Sequence, residues 1–199
     1  YYVRKMALIR KTKGTSMNKA SRNIIAFLPQ AILLFNFIIQ SVAMAEVRTP
    51  HVFSSHMVLQ QSQPITLWGW AAPNEKITVQ ILAAAKEVQA NEKGEWKAVL
   101  PAMKAGGPYT LTVKGSNTLT FEDVLVGEVW LCSGQSNMEM GIGAVKDGQQ
   151  EIAAANYPNI RLLMVPNRWT PEPQKDMEGI WKICTPATVA EGGWNGFYV

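Results

Sequence analysis

Residues 126–143 read VGEVWLCSGQSNMEMGIG, an apolar, strand-like run broken by a short turn that sets two serines among glycines. The run from Val124 to Cys132 is nearly continuous in apolar residues, which is the pattern of a parallel strand buried on both faces. Behind the turn, AVKDGQQEIAAA (144–155) has the composition of a helix, and NIRLLMVP (159–166) that of a second apolar strand closed by Pro166. Strand, turn, helix and strand in that order predict a βαβ unit, so residues 121–199 read as the start of an α/β domain. Two or three strands cannot cover both faces of such a sheet, and the domain reads as truncated.

The segment before it has another texture. PITLWGW, KITVQIL, EWKAVLP, PYTLTVK and NTLTFEDV are short and rich in Val, Ile, Thr, Tyr and Trp, and APNE, NEKG, AGGP and KGSN separate them. Strands spaced this closely by turn residues predict an antiparallel β-sandwich over residues 46–120.

The N-terminus is different again. From Met17 a basic MNKASRN leads into IIAFLPQAILLFNFII and ends in the small residues Ala43, Met44 and Ala45. That order is the signature of a secretory signal peptide over 17–45, which predicts a periplasmic or secreted protein. The apolar run is short and interrupted by Pro29, Gln30 and Asn36, so no stable membrane span is expected after cleavage. Residues 1–16 read as an extension upstream of the native start. The formal charge of +4 resides in this leader: seven of the 19 Lys and Arg precede residue 46 and no Asp or Glu does. The rest of the chain is mildly acidic, which removes the case for a nucleic-acid partner. Cys132 and Cys184 have no metal-ligand spacing, and Cys132 reads as a small apolar residue ending a buried strand.

An open α/β sheet presents reactive groups at the carboxyl ends of its strands, where the CSGQSNM turn stands. A serine there can attack a carbonyl carbon while N–H groups at the next helix start stabilise the oxyanion. The G-x-S-x-G elbow is not matched, because Met138 stands where its second glycine would be. By spacing alone Gly-x-Ser is a weak signal, since most serines after a glycine form turns or cap helices.

The string GEVWLCSGQSNMEM resembles the nucleophile motif of the sialate O-acetylesterases, a branch of the SGNH hydrolases, and GQSNM also occurs in related acetylxylan esterases. Upstream, HMVLQQSQPITLWGWAAPNEKITVQI is similar to the opening β-domain of that family, with Asn74 where the family usually has Gly. Downstream, IWKICTPATVAEGGWNGF resembles its W-x-x-C-x-P segment. Matches separated along the chain and in the right order are far harder to reach by chance than one motif.

The resemblance implies a flavodoxin-like, three-layer SGNH domain behind the β-sandwich and a carbohydrate O-acetylesterase acting on sialic acid or a related acetylated sugar, or on acetylated xylan. It assigns Ser136 as nucleophile, with its own N–H as an oxyanion donor. Gly134, Gln135, Asn137 and Met138 support the motif, and Ser133 is framework. Asn137 also reads as a helix cap, Met138 as packing, and Glu139 as a carboxylate favoured at a helix start. The chemistry needs no metal or cofactor. The family's base comes from an Asp-x-x-His, which this sequence does not contain. His51 and His56, the two histidines present, read as loop or edge residues, so the chain is expected to be an inactive fragment. Trp68, Trp96 and Trp130 are expected in the core. The competing expectation is an exported β-sandwich that binds carbohydrate or mediates adhesion without catalysis.

Overall fold

The structure, a computed structural model, describes residues 45–134, 138, 140–166 and 168–191. The signal peptide expected over 17–45 lies, except for Ala45, outside the described residues, as does the 1–16 extension. No described helix is long and apolar enough to cross a membrane.

Seven strands occupy the first part of the described chain: β1 (Val58–Gln60), β2 (Ile65–Trp70), β3 (Lys76–Ile81), β4 (Ala84–Gln89), β5 (Glu95–Leu100), β6 (Gly106–Lys114) and β7 (Thr118–Gly127). Five form one sheet in the order β1-β7-β6-β3-β4, and β2 pairs with β5 in a second. All five segments expected as strands are strands. β1 and β4 were not expected. β1 is three residues long, and β4 is an exposed edge carrying Lys86 and Glu87, so neither shows an apolar alternation. One pairing departs from the antiparallel expectation: β1 runs parallel to β7, from Val58 opposite Leu125 to Gln60 opposite Gly127. The sheet is therefore mixed.

Alternation explains the core. Ile77, Val79 and Ile81 of β3 point inward, as do Trp96, Ala98 and Leu100 of β5, and they join Leu67, Leu111, Val113, Phe121, Val124 and Val126 in a single cluster. Each large aliphatic side chain removed from water here contributes about 1.5–3 kcal/mol. β7 does not stop at residue 120: it runs through 127, and its later residues belong to the same core.

The apolar run from Val124 to Cys132 is thus divided. Its first half is the end of β7, while 128–132 forms no strand, with Trp130 83% and Leu131 92% exposed. The expectation of one strand buried on both faces fails because no described strand lies beside 128–132 to complete a ladder. Trp130 is correspondingly not a core residue. Trp96 is, whereas Trp68 is 41% exposed and packs edge-to-face with Phe53, the ring centroids 4.7 Å apart.

Beyond the turn lie a 3₁₀ segment (Ile142–Ala144), α1 (Gly148–Ala154), β8 (Tyr157–Leu162), β9 (Lys182–Cys184) and α2 (Pro186–Ala190). The helix expected over 144–155 begins only at Gly148, because Asp147 takes a left-handed conformation (φ 58°) and breaks the chain in an Asp-Gly turn. β8 pairs antiparallel with β9, so the parallel βαβ pair is not formed among the described residues. Thr185 caps α2 through a reciprocal exchange with Thr188. Ile142, Ala155, Leu162, Cys184 and Val189 make a second, small core.

Candidate functional site

The residue on which the motif turns is not placed: Gln135, Ser136, Asn137 and Glu139 lie outside the described residues. Their neighbours are described. Ser133 and Gly134 are exposed and Met138 is half-buried. A Cβ added at Gly134 would stand 2.6 Å from Met138 Cγ. Gly134 and Met138 are therefore in close contact, and a side chain at 134 would require that of Met138 to shift.

The approach to the turn is held by side chains rather than by a sheet. Gln60 Oε1 accepts a hydrogen bond from the Val129 N–H (2.9 Å), and Gln60 Nε2 donates to Glu128 (3.0 Å). Gln61 Nε2 donates to the other Glu128 oxygen (2.6 Å), and the Gln61 N–H bonds the Gly127 carbonyl (2.8 Å). The two amides, Gln60 first, hold the Glu128 carboxyl below its usual range. These residues were missed in the sequence, although Gln60 stands in the MVLQ string that carries part of the resemblance.

Both histidines pair with aspartates. His51 binds Asp176 twice, through its backbone N–H and through Nδ1, each at 2.8 Å. His56 Nδ1 lies 2.6 Å from Asp123. Asp123 sits at a bulge where two residues of β7, Glu122 and Asp123, oppose one of β6, and its left-handed backbone (φ 53°) turns the carboxylate out of the sheet. There it also receives Arg161 Nη2 at 2.9 and 3.0 Å, from a guanidinium whose side chain is 3% exposed. Burial raises the Asp123 pKa, but the His56 hydrogen bond and the Arg161 charge outweigh it and hold the carboxyl low. A His–Asp pair is the arrangement a serine esterase uses to activate its nucleophile. Here the aspartate is already engaged by a buried cation that ties β8 to β7, which is a structural use of the pair. His51 and His56 both lie in turns before β1, in keeping with their expectation as loop or edge residues.

Cys184 is buried and free, with its thiol pushed up by burial, so no disulfide joins it to Cys132. Among the described residues no three His, Cys, Asp or Glu side chains gather as metal ligands.

No protein-family model matches the chain. In three dimensions it is similar to a crystal structure described as a novel carbohydrate acetylesterase from Xanthomonas citri, with a TM-score of 0.71 and 42% identity over 74% of this chain and 34% of that one. The described fold is thus shared with part of a solved carbohydrate acetylesterase. A sialate O-acetylesterase of Rattus norvegicus is 31% identical over 157 residues, 71% of this chain and 29% of the relative. That of Homo sapiens is 36% identical over 126 residues, 56% of this chain and 24% of the relative. The chain belongs to the sialate O-acetylesterase family, and it spans less than a third of the length of these curated relatives.

Proposed function

We propose that the protein containing this chain is a carbohydrate O-acetylesterase in which Ser136 is the nucleophile. The observation that carries the reading is the 42% identity, over 74% of the chain, to a carbohydrate acetylesterase. Ser136 Oγ adds to the acetyl carbonyl carbon as a base takes its proton, and the oxyanion is met by the Ser136 N–H. Collapse expels the sugar hydroxyl with a proton returned from the base. Water then attacks the acetyl-Ser136 ester, releasing acetate and restoring the serine. The acetylated sugar is sialic acid or a relative of it, with acetylated xylan as the alternative substrate.

Within this reading the two sheets around the first core are the family's N-terminal β-sandwich, and residues from the turn onward begin its three-layer α/β domain. The base is an Asp-x-x-His histidine on a part of the family domain that this chain does not match, and the 199 residues alone are inactive. The protein is exported to the periplasm or beyond by the segment 17–45.

In the full-length protein, Ser136→Ala should lower acetate release from O-acetylated sialic acid by about 10⁴-fold or more, since triad nucleophiles contribute on that scale. Hydrolysis that survives the substitution removes Ser136 from the mechanism. Ser136-dependent hydrolysis by the 199-residue chain overturns its inactivity. Absence of both hydrolysis and serine labelling by a fluorophosphonate favours a non-catalytic carbohydrate-binding module.

A further inference from the structure

We propose that Gln60 is a positioning residue of this esterase, its side-chain amide fixing the path of the chain from the end of β7 into the CSGQSN turn. The proposal rests on the reading of Ser136 as nucleophile.

The ladder between β1 and β7 ends at the pair Gln60 and Gly127, just as the chain leaves the sheet for the turn. Beyond Gly127 no described strand flanks the backbone. Val129 is 43% exposed and Trp130 and Leu131 project into solvent, so apolar packing does not hold this stretch either. A carboxamide carries the same donor and acceptor as a peptide group. The Gln60 side chain uses both, accepting from the Val129 N–H as a strand neighbour's carbonyl would and donating to the Glu128 carboxylate.

Its own orientation is fixed from behind. Gln60 Nε2 also lies 3.3 Å from the Gln61 carbonyl. Gln61 Nε2 holds the second oxygen of Glu128, and Gln61 Oε1 accepts from the Ala105 N–H at 3.2 Å. Glu128 is thereby clamped between the amides of Gln60, the last residue of β1, and Gln61, the residue after it. Such a clamp acts on chain direction, and a nucleophile displaced by about 1 Å can lose 10²-fold in rate. It also gives a physical link between two strings far apart in sequence, MVLQ and GEVWLCSGQSNM.

Only an amide fits the role. Alanine at 60 leaves the Val129 N–H without its acceptor. Glutamate still accepts from Val129 but sets a second carboxylate against Glu128, and two such groups ionise together only at a cost that falls as pH drops and one proton is shared. Exchanging the pair, Gln60→Glu with Glu128→Gln, restores one donor opposite one acceptor.

The test is made in the full-length protein with p-nitrophenyl acetate and amide hydrogen exchange. Gln60→Ala should lower kcat by about 10- to 100-fold with little change in KM. Exchange should quicken about tenfold at 128–131, while the β3 amides of residues 77–81 stay as protected as in the wild type. Gln60→Glu should be defective at pH 8 and recover relative to wild type toward pH 5, and the exchanged double variant should regain most of the lost rate at pH 8. An unchanged kcat in Gln60→Ala, an equal loss of protection in β3, or a double variant no better than Gln60→Glu overturns the positioning role. A wild-type protein that does not hydrolyse acetyl esters sinks the esterase reading and this role with it; hydrolysis unaltered by Gln60→Ala sinks this role alone.

Discussion

Asp123 binds a half-exposed imidazole and a buried guanidinium at once, from a bulge in β7. With Asp123→Asn the Arg161 side chain stays buried and loses its counter-charge, and its Nε already has no hydrogen-bond partner. The substitution should cost about 1.5–3 kcal/mol, read from the urea midpoint at pH 7. The pH dependence follows from the lowered carboxyl pKa. A carboxylate more acidic folded than unfolded stabilises fully above its unfolded pKa of about 3.9, and the contribution disappears as pH falls through the lower folded value. The gap between wild type and Asp123→Asn should therefore narrow as pH falls below about 4. Asn74 is a residue whose identity the chain geometry explains: its φ of 62° is left-handed, the conformation in which Asn is the best substitute for the Gly common in the family. Glu75 beside it accepts from the N–H groups of Ala72 and Ser116, which outweigh its burial and keep its pKa low.

The β3–β4 hairpin turns on Leu82 and Ala83, with Leu82 left-handed (φ 51°) and 58% exposed. A γ-branched side chain gains nothing from burial there and carries the steric cost of that conformation. Leu82→Asn should raise stability by about 0.5–1 kcal/mol, visible as a higher thermal midpoint with activity unchanged. The hairpin also shows where elements were hidden. β3 was legible because Ile77, Val79 and Ile81 alternate inward. β4 was not, since its ladder to β3 defines it and its side chains face water. The same asymmetry divided residues 124–132. Composition marked all nine as strand, but pairing ends at Gly127, and apolar residues without a neighbouring strand do not make one. Likewise Asp147-Gly148 outweighed the helix-forming composition around it, because a left-handed aspartate stops helix propagation.

Across the whole described chain, the part beyond the turn is fastened to the β-sheet core at separate points. Trp181 packs against that core and its Nε1 donates to the Val52 carbonyl at 2.8 Å, Asp176 holds His51, Lys175 pairs with Glu95, and Arg161 reaches Asp123. The exposed Lys175 pair contributes little, whereas the Trp181 bond joins a half-buried ring to a loop carbonyl. Trp181→Phe should keep most of the packing and lose that bond, at about 1 kcal/mol. Hydrogen exchange should quicken over 180–184 and remain slow in β3. By itself the sequence determined the five inward-alternating strands, the core they build and the family, because alternation and ordered motifs are local properties of the chain. It did not determine β1, the parallel pairing of β1 with β7, the antiparallel pairing of β8 with β9, or the clamp of Gln60 and Gln61 on Glu128. Those depend on which distant segment lies alongside, and hydrogen bonds between residues some seventy positions apart exist only once the chain has folded.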